Sequence, residues 1–87
     1  MVEWRDDAQA IVFKPANHDG LCFVHRLAIR TLLGHLPDGP ECLGYFDTRT
    51  AAFETAAQAK IGLRGLKRDA NFHLTSRDIA PRLRSRN

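Results

Sequence analysis

The sequence has no long apolar run, because its most hydrophobic segments extend for only a few residues. A membrane-spanning helix needs about 20 such residues, so no association with a membrane is predicted. The N-terminal segment carries Glu3, Asp6 and Asp7, whereas a secretory signal begins with positive charge and continues with an apolar stretch. The sequence therefore predicts a cytoplasmic protein.

Cysteine and glycine are also scarce. Only Cys22 and Cys42 are present, too few for the disulfide framework of a small secreted domain. The six glycines are scattered and form no loop of the kind that cradles phosphate groups. Asp6 and Asp7 are too isolated to indicate a carboxylate metal site. No cofactor and no metal are predicted.

The chain has 87 residues, of which 44% are hydrophobic and 26% are charged. These are ordinary proportions for a globular protein, and the length allows one core and one domain. We assign residues 1–81 to this domain. Residues 82–87 have too little apolar content to fold alone, so they are predicted to form a basic, flexible C-terminal tail.

Two segments in the first third of the chain have the composition of β-strands. Residues 10–14 and residues 21–27 are rich in β-branched and aromatic side chains, and Pro15 ends the first of them. The short connection between them ends in Asp19 and Gly20, which is a hairpin signal. We expect an antiparallel pair of strands here.

Two helices are predicted to follow. The first covers residues 28–36, where isoleucine and leucines recur at helical spacing, with Gly34 near its end and Pro37 beyond it as a stop signal. The second begins at Asp38, a favourable N-cap with Pro40 in the first turn, and ends near Gly65. One apolar stripe runs along this long helix, formed by Leu43, Phe46, Phe53, Ala57 and Ile61.

Residues 71–76 alternate apolar and polar side chains, so Phe72 and Leu74 are expected on one face of a third strand. Asp78 and Pro81 are expected to end it. The predicted fold class is α+β, in the order β-β-α-α-β, with the long amphipathic helix packed on one face of a small sheet. The sequence does not decide how the third strand pairs.

Positive charge is concentrated in the C-terminal third. Residues 60–87 contain eight basic and two acidic side chains, whereas residues 1–59 contain five basic and eight acidic ones. Basic residues spaced by three and four gather on one side of a helix, and such a surface can neutralise nucleic-acid phosphates. The candidate nucleic-acid site comprises Lys60, Arg64, Lys67, Arg68, Arg82, Arg84 and Arg86, with Arg77 as a further contributor.

The same charges have a simpler interpretation, because cations stabilise the C-terminal end of a helix through its dipole. No aromatic residues are interleaved with them in the sequence, so bases have no evident surface on which to stack.

The cysteines and histidines invite a zinc hypothesis built on Cys22, His25, His35 and Cys42. Residues three apart on a strand point to opposite faces, however, and no second close pair completes four ligands. Cys42 falls in the first turn of the predicted long helix, where the dipole can lower a thiol pKa. A thiol-dependent enzyme would also need a base beside Cys42, and the sequence places none there.

Other features favour association with a protein. A small sheet has edge strands that can pair with a second copy, and Trp4 and Tyr45 either complete the core or form an exposed contact patch. The first hypothesis is therefore a non-enzymatic interaction or accessory domain that binds an unknown protein or forms a homodimer. Nucleic-acid binding is the alternative, and a thiol-dependent enzyme is a distant one.

The pattern resembles the bacterial family named "domain of unknown function 1488". The similarity is in residues 10–13, Gly20 and the strand after it, the Leu32–Leu33 helix and the segment Phe72–Ile79, and it covers about residues 4 to 80. The chain departs from the family at Ala28 and Ile29, where a small polar cap is usual. The resemblance implies a compact ββααβ fold in a bacterial cytoplasm, and it implies no catalytic residue.

Overall fold

The computed structural model describes residues 2–83 and confirms an α+β fold. Its strands are β1 (Val2–Arg5), β2 (Ala10–Phe13), β3 (Cys22–His25) and β4 (Phe72–His73). Its helices are α1 (Arg26–Leu33), α2 (Gly39–Asp47), α3 (Thr50–Arg64) and α4 (Ser76–Leu83). Within residues 2–83, no helix is both long enough and apolar enough to cross a membrane.

The four strands form one mixed sheet in the order β1-β2-β3-β4. The predicted hairpin is confirmed, because β2 and β3 pair antiparallel with Phe13 opposite Cys22. β4 pairs parallel with β3, with Phe72 beside Cys22. The N-terminal strand β1 was not predicted, although Val2, Glu3, Trp4 and Arg5 alternate apolar and charged side chains as a half-buried strand does. It pairs antiparallel with β2, with Trp4 opposite Ile11.

All the helices pack on one face of the sheet. Ile11, Phe13 and Val24 project from that face into the core, where they meet helical residues that include Ile29, Phe46, Phe53 and Ile79. As predicted, Phe72 and Leu74 are both buried. Tyr45 is also buried, and Trp4 packs half-buried against the core. Both aromatic residues thus complete the core.

The predicted long helix is in fact two helices, and this prediction was wrong. The helix stops after Asp47, where the Thr48 hydroxyl donates back to the Gly44 and Tyr45 carbonyls at 3.3 Å each; such back-bonding weakens and bends a helix. Arg49 is non-helical, with φ −133° and ψ 29°. Even so, the Phe46 and Phe53 ring centroids lie 5.0 Å apart, so the apolar stripe is preserved across the break.

The first helix begins two residues earlier than predicted, at Arg26, and it does have a polar cap. The His25 ring nitrogen Nδ1 accepts a hydrogen bond of 3.1 Å from the Leu27 amide. Gly34 ends the helix in the left-handed conformation, with φ 93°, which is the usual use of glycine at this position.

The segment expected to end the third strand instead forms α4, so this prediction was also wrong. The Thr75 hydroxyl accepts from the Asp78 amide at 3.3 Å, and the Asp78 carboxylate accepts from the Thr75 amide at 2.8 Å. This reciprocal arrangement is a capping box, which starts a helix. α4 continues past Pro81 to Leu83, so it includes the first two residues of the predicted tail. Residues 84–87 lie outside the described residues.

Two glycines offer opposite tests of this packing. At Gly20, a Cβ atom would lie 2.1 Å from the Ala70 carbonyl oxygen, whereas at Gly44, inside α2, it would meet nothing within 4 Å. We expect Gly20→Ala to lower the free energy of unfolding by about 1–3 kcal/mol through overpacking. Gly44→Ala should raise it by about 0.5–1 kcal/mol through helix propensity. Urea unfolding of both variants measures the difference, and equal effects would contradict the close contact at Gly20.

Candidate functional site

The candidate site is a groove of about 190 Å³ between α3 and α4. We call it the arginine groove, because its polar rim is formed by Arg64 of α3 and by Arg77 and Arg82 of α4. Leu63 and Pro81 supply exposed apolar surface between these arginines. Leu63 is 86% exposed, which makes it the most exposed large apolar side chain among residues 2–83.

Lys60 and Asp78 form the base of the groove and hold its two sides together. The Lys60 ammonium group donates to an Asp78 carboxylate oxygen at 2.9 Å and to the His73 carbonyl at 2.7 Å. The same carboxylate oxygen accepts from the Thr75 amide. One ion pair therefore links α3, the end of β4 and the cap of α4.

The environment of Asp78 favours its charged form. Partial burial by itself would raise the pKa of this carboxyl, but the hydrogen bonds from the Thr75 backbone and from Lys60 outweigh that effect, and the pKa lies below its usual range. The Lys60 and Asp78 side chains are only 16% and 29% exposed, so this pair is shielded from solvent much more than an ordinary surface ion pair.

The arginines at the rim differ from this pair, because all three are exposed. Within the described part of the chain, none of them takes part in a salt bridge or a side-chain hydrogen bond. Among residues 2–83, Asp78 is the only acidic residue that lines the groove, and it is already bound by Lys60. The rim can therefore offer its guanidinium donors to an external anion.

The structure brings together only part of the predicted basic site. Arg64 and Arg82 lie at the groove, whereas Lys60 is committed to Asp78. Gly65 ends α3 with φ 60°, so the helical spacing that would align Lys67 and Arg68 with Arg64 does not continue. Arg68 instead pairs with Asp19 at 3.2 Å. Arg84 and Arg86 lie outside the described residues.

Arg77 belongs to the groove more clearly than the sequence indicated. No helix was predicted around Arg77, which follows the strand expected over residues 71–76. The signal that identifies its true position is the pattern Thr75-x-x-Asp78, which marks the start of a helix. With α4 in place, Arg77 and Arg82 belong to the same helix, and both line the groove that α4 forms with α3.

The potential zinc ligands do not converge. Cys22 is fully buried in the core, while His25 is exposed and caps α1. His35 contacts the Glu41 carboxylate, and Cys42 is fully buried. No group of three or more potential metal ligands occurs among the described residues.

Neither thiol has the surroundings of a reactive cysteine. Burial raises the pKa of Cys22 far above its ordinary value, although the charge of Lys60 opposes the effect. Burial also raises the pKa of Cys42, and the Arg26 guanidinium opposes it only in part. Position in the first turn of α2 thus fails to activate Cys42, because the loss of solvation is the larger effect.

The face of the sheet opposite the helices carries an aromatic pair that the sequence did not reveal. The Phe23 and His73 ring centroids are 5.4 Å apart, and the Arg5 guanidinium carbon lies 6.0 Å from the Phe23 centroid. Arg5 also pairs with Glu3 at 3.0 Å. These rings do not line the arginine groove, so the groove itself still lacks a surface for stacking bases.

Comparison with known proteins found no match. No protein-family model matches the chain, and no curated protein or solved structure matches it significantly. The resemblance to the domain of unknown function 1488 family stays a prediction from the sequence.

The ion pair at the base of the groove predicts an acid-sensitive contribution to stability. Because the pKa of Asp78 is lower in the folded protein, this contribution is complete above the unfolded value of about 3.9 and is lost as the pH falls through the folded value. Asp78→Asn should lower the free energy of unfolding at neutral pH by about 1–3 kcal/mol, since it leaves Lys60 poorly paired. Urea unfolding between pH 7 and pH 2 should show a smaller dependence on pH in the variant; an unchanged slope would contradict the assignment.

Burial of both thiols predicts slow chemical labelling. Because the thiolate is the reacting species, we expect the folded protein at neutral pH to react with iodoacetamide far more slowly than the urea-unfolded protein does. Mass spectrometry of the alkylated protein, with Cys22→Ala and Cys42→Ala variants to separate the two sites, measures the rates. Rapid labelling of Cys42 in the folded chain would restore the thiol-enzyme hypothesis.

Proposed function

We propose that this protein is a non-enzymatic interaction domain that binds an anionic partner through the arginine groove. The observation that carries the proposal is the set of exposed arginines on two adjacent helices, without acidic partners in the described part of the chain. Exposed guanidinium groups without an acidic neighbour keep their hydrogen-bond donors available to another molecule.

The shape and rigidity of the groove support this function. The base is fixed by the Lys60–Asp78 pair, so the arginines on either side are held on ordered helices. Arginine donates several hydrogen bonds from one planar group and suits carboxylate and phosphate groups alike. Exposed Leu63 adds apolar area between these charges, and interfaces commonly combine apolar surface with arginine.

The chemistry of the thiols supports a binding role over catalysis. Cys42 was the only nucleophile that the sequence suggested, and its burial and raised pKa oppose reactivity. We therefore keep the thiol-dependent enzyme only as a distant alternative, which the labelling experiment addresses.

Nucleic-acid binding is the second candidate, and the arginines of the groove favour it as well. Guanidinium groups bind phosphate oxygens, and each such contact contributes a salt-dependent part of the affinity. The absence of aromatic residues from the groove lining favours contacts to the phosphate backbone over contacts to bases. The cellular setting that we propose, the cytoplasm of a bacterium, follows from the sequence resemblance and provides nucleic acids and acidic proteins alike.

Binding of defined polyanions tests the proposal. Fluorescence anisotropy would compare a polyglutamate peptide with single- and double-stranded DNA across a salt series. We expect Arg77→Gln with Arg82→Gln to weaken binding and to reduce the slope of log K against log salt by about two. The control combines Lys14→Gln with Arg30→Gln, which remove the same charge from exposed positions outside the groove.

The preferred ligand separates the two candidates. Tighter binding of polyglutamate supports the protein-interaction function, and tighter binding of DNA supports the nucleic-acid alternative. Equal losses in the groove variant and in the control would show that only net charge matters, and the groove would then not be the site.

A further inference from the structure

An acidic turn lies between β1 and β2, and it is held in a defined conformation. Asp6 and Asp7 are both exposed there. Gln9 adopts φ 50°, an uncommon value for a residue with a side chain. Two bonds to Arg26 hold it: the Arg26 amide donates to the Gln9 carbonyl at 2.8 Å, and the Arg26 guanidinium donates to the Gln9 side chain. The two aspartates are therefore presented by an ordered turn.

The acidic turn and the arginine groove belong to opposite edges of the sheet. β1 and β4 are the two edge strands. The turn follows β1, whereas Lys60 at the base of the groove binds the carbonyl of His73 in β4. The groove of one molecule can therefore meet an acidic turn only on another molecule. Neither aspartate forms a salt bridge within the described residues.

We propose that the partner of the arginine groove is a second copy of this chain, bound through its acidic turn; this inference rests on the proposed binding role of the groove. Charge complementarity carries it, because the exposed aspartates face outward at one edge and the exposed arginines at the other. The two surfaces are different, so the contact is heterologous, and repeating it builds open chains or rings.

Such a contact is weak and sensitive to salt, because each exposed ion pair contributes little and is screened as ionic strength rises. The order of the turn lowers the entropic cost of binding. Association is therefore expected at high protein concentration and low ionic strength, with the average mass rising above that of two copies, and is expected to disappear at about 0.5 M salt.

Two complementary variants test this arrangement by sedimentation equilibrium. The groove variant carries Arg77→Gln and Arg82→Gln. The turn variant carries Asp6→Asn and Asp7→Asn, which keep the side-chain oxygen that accepts from Trp4 and Gln9. Each variant alone is expected to be a monomer, because each lacks one half of the contact. A 1:1 mixture retains one intact contact, between the groove of the turn variant and the turn of the groove variant, so it should form dimers and nothing larger.

Other outcomes would overturn the inference. Wild-type protein that stays monomeric at low ionic strength, or a turn variant that associates as the wild type does, excludes this contact. The polyanion assay distinguishes that failure from failure of the proposed function: if the groove is a binding site, the turn variant binds polyglutamate as the wild type does, and the groove variant binds it more weakly. Binding to DNA together with monomeric behaviour would assign the groove to nucleic acid instead.

Discussion

The contact between Lys60, Asp78 and the cap of α4 determines how the C-terminal half is arranged. Without it, α4 would lose its N-terminal cap and its ion pair with α3, and β4 would lose the ammonium group that binds the His73 carbonyl. The same contact removes Lys60 and Asp78 from the set of groups available to ligands. Among the residues that the structure describes, the groove is basic for this reason: Asp78 is neutralised by Lys60, and the arginines have no acidic partner.

The sequence was sufficient for the parts of the fold that depend on local chemistry. Gly20 marked the hairpin, and the alternation around Phe72 marked the last strand, because turn residues and period-two patterns act over a few positions. The helix break at Thr48 and the start of α4 were missed, although Thr75 and Asp78 carry a capping signal. At both places polar side chains form hydrogen bonds with the backbone. A prediction based on the spacing of apolar residues does not take such hydrogen bonds into account.

The candidate site was predictable only in part, and the reason is geometric. Grouping Lys60, Arg64, Lys67 and Arg68 assumed one continuous helix, an assumption that ends at Gly65. The fold also brings together charged groups that are far apart in the sequence. Arg68 forms a salt bridge with Asp19, and Lys60 forms one with Asp78. Which charges remain free therefore follows from tertiary pairing, and composition alone overstates the number of basic groups in the site.

The parallel pairing of β4 with β3 has a consequence for the order of assembly. A parallel neighbour cannot be reached by a tight turn, and here the chain forms α1, α2 and α3 before it returns to the sheet. Closing so long a loop is entropically costly, and contacts of high sequence separation generally form late in folding. The hairpin can form from local contacts and so can the packing of α4 on α3, whereas the pairing of β4 with β3 joins segments that are far apart in the sequence. The arginine groove belongs to the α3–α4 part of the chain and the acidic turn to the first two strands, so a partner that requires both surfaces in their final arrangement discriminates finished molecules from partly folded chains.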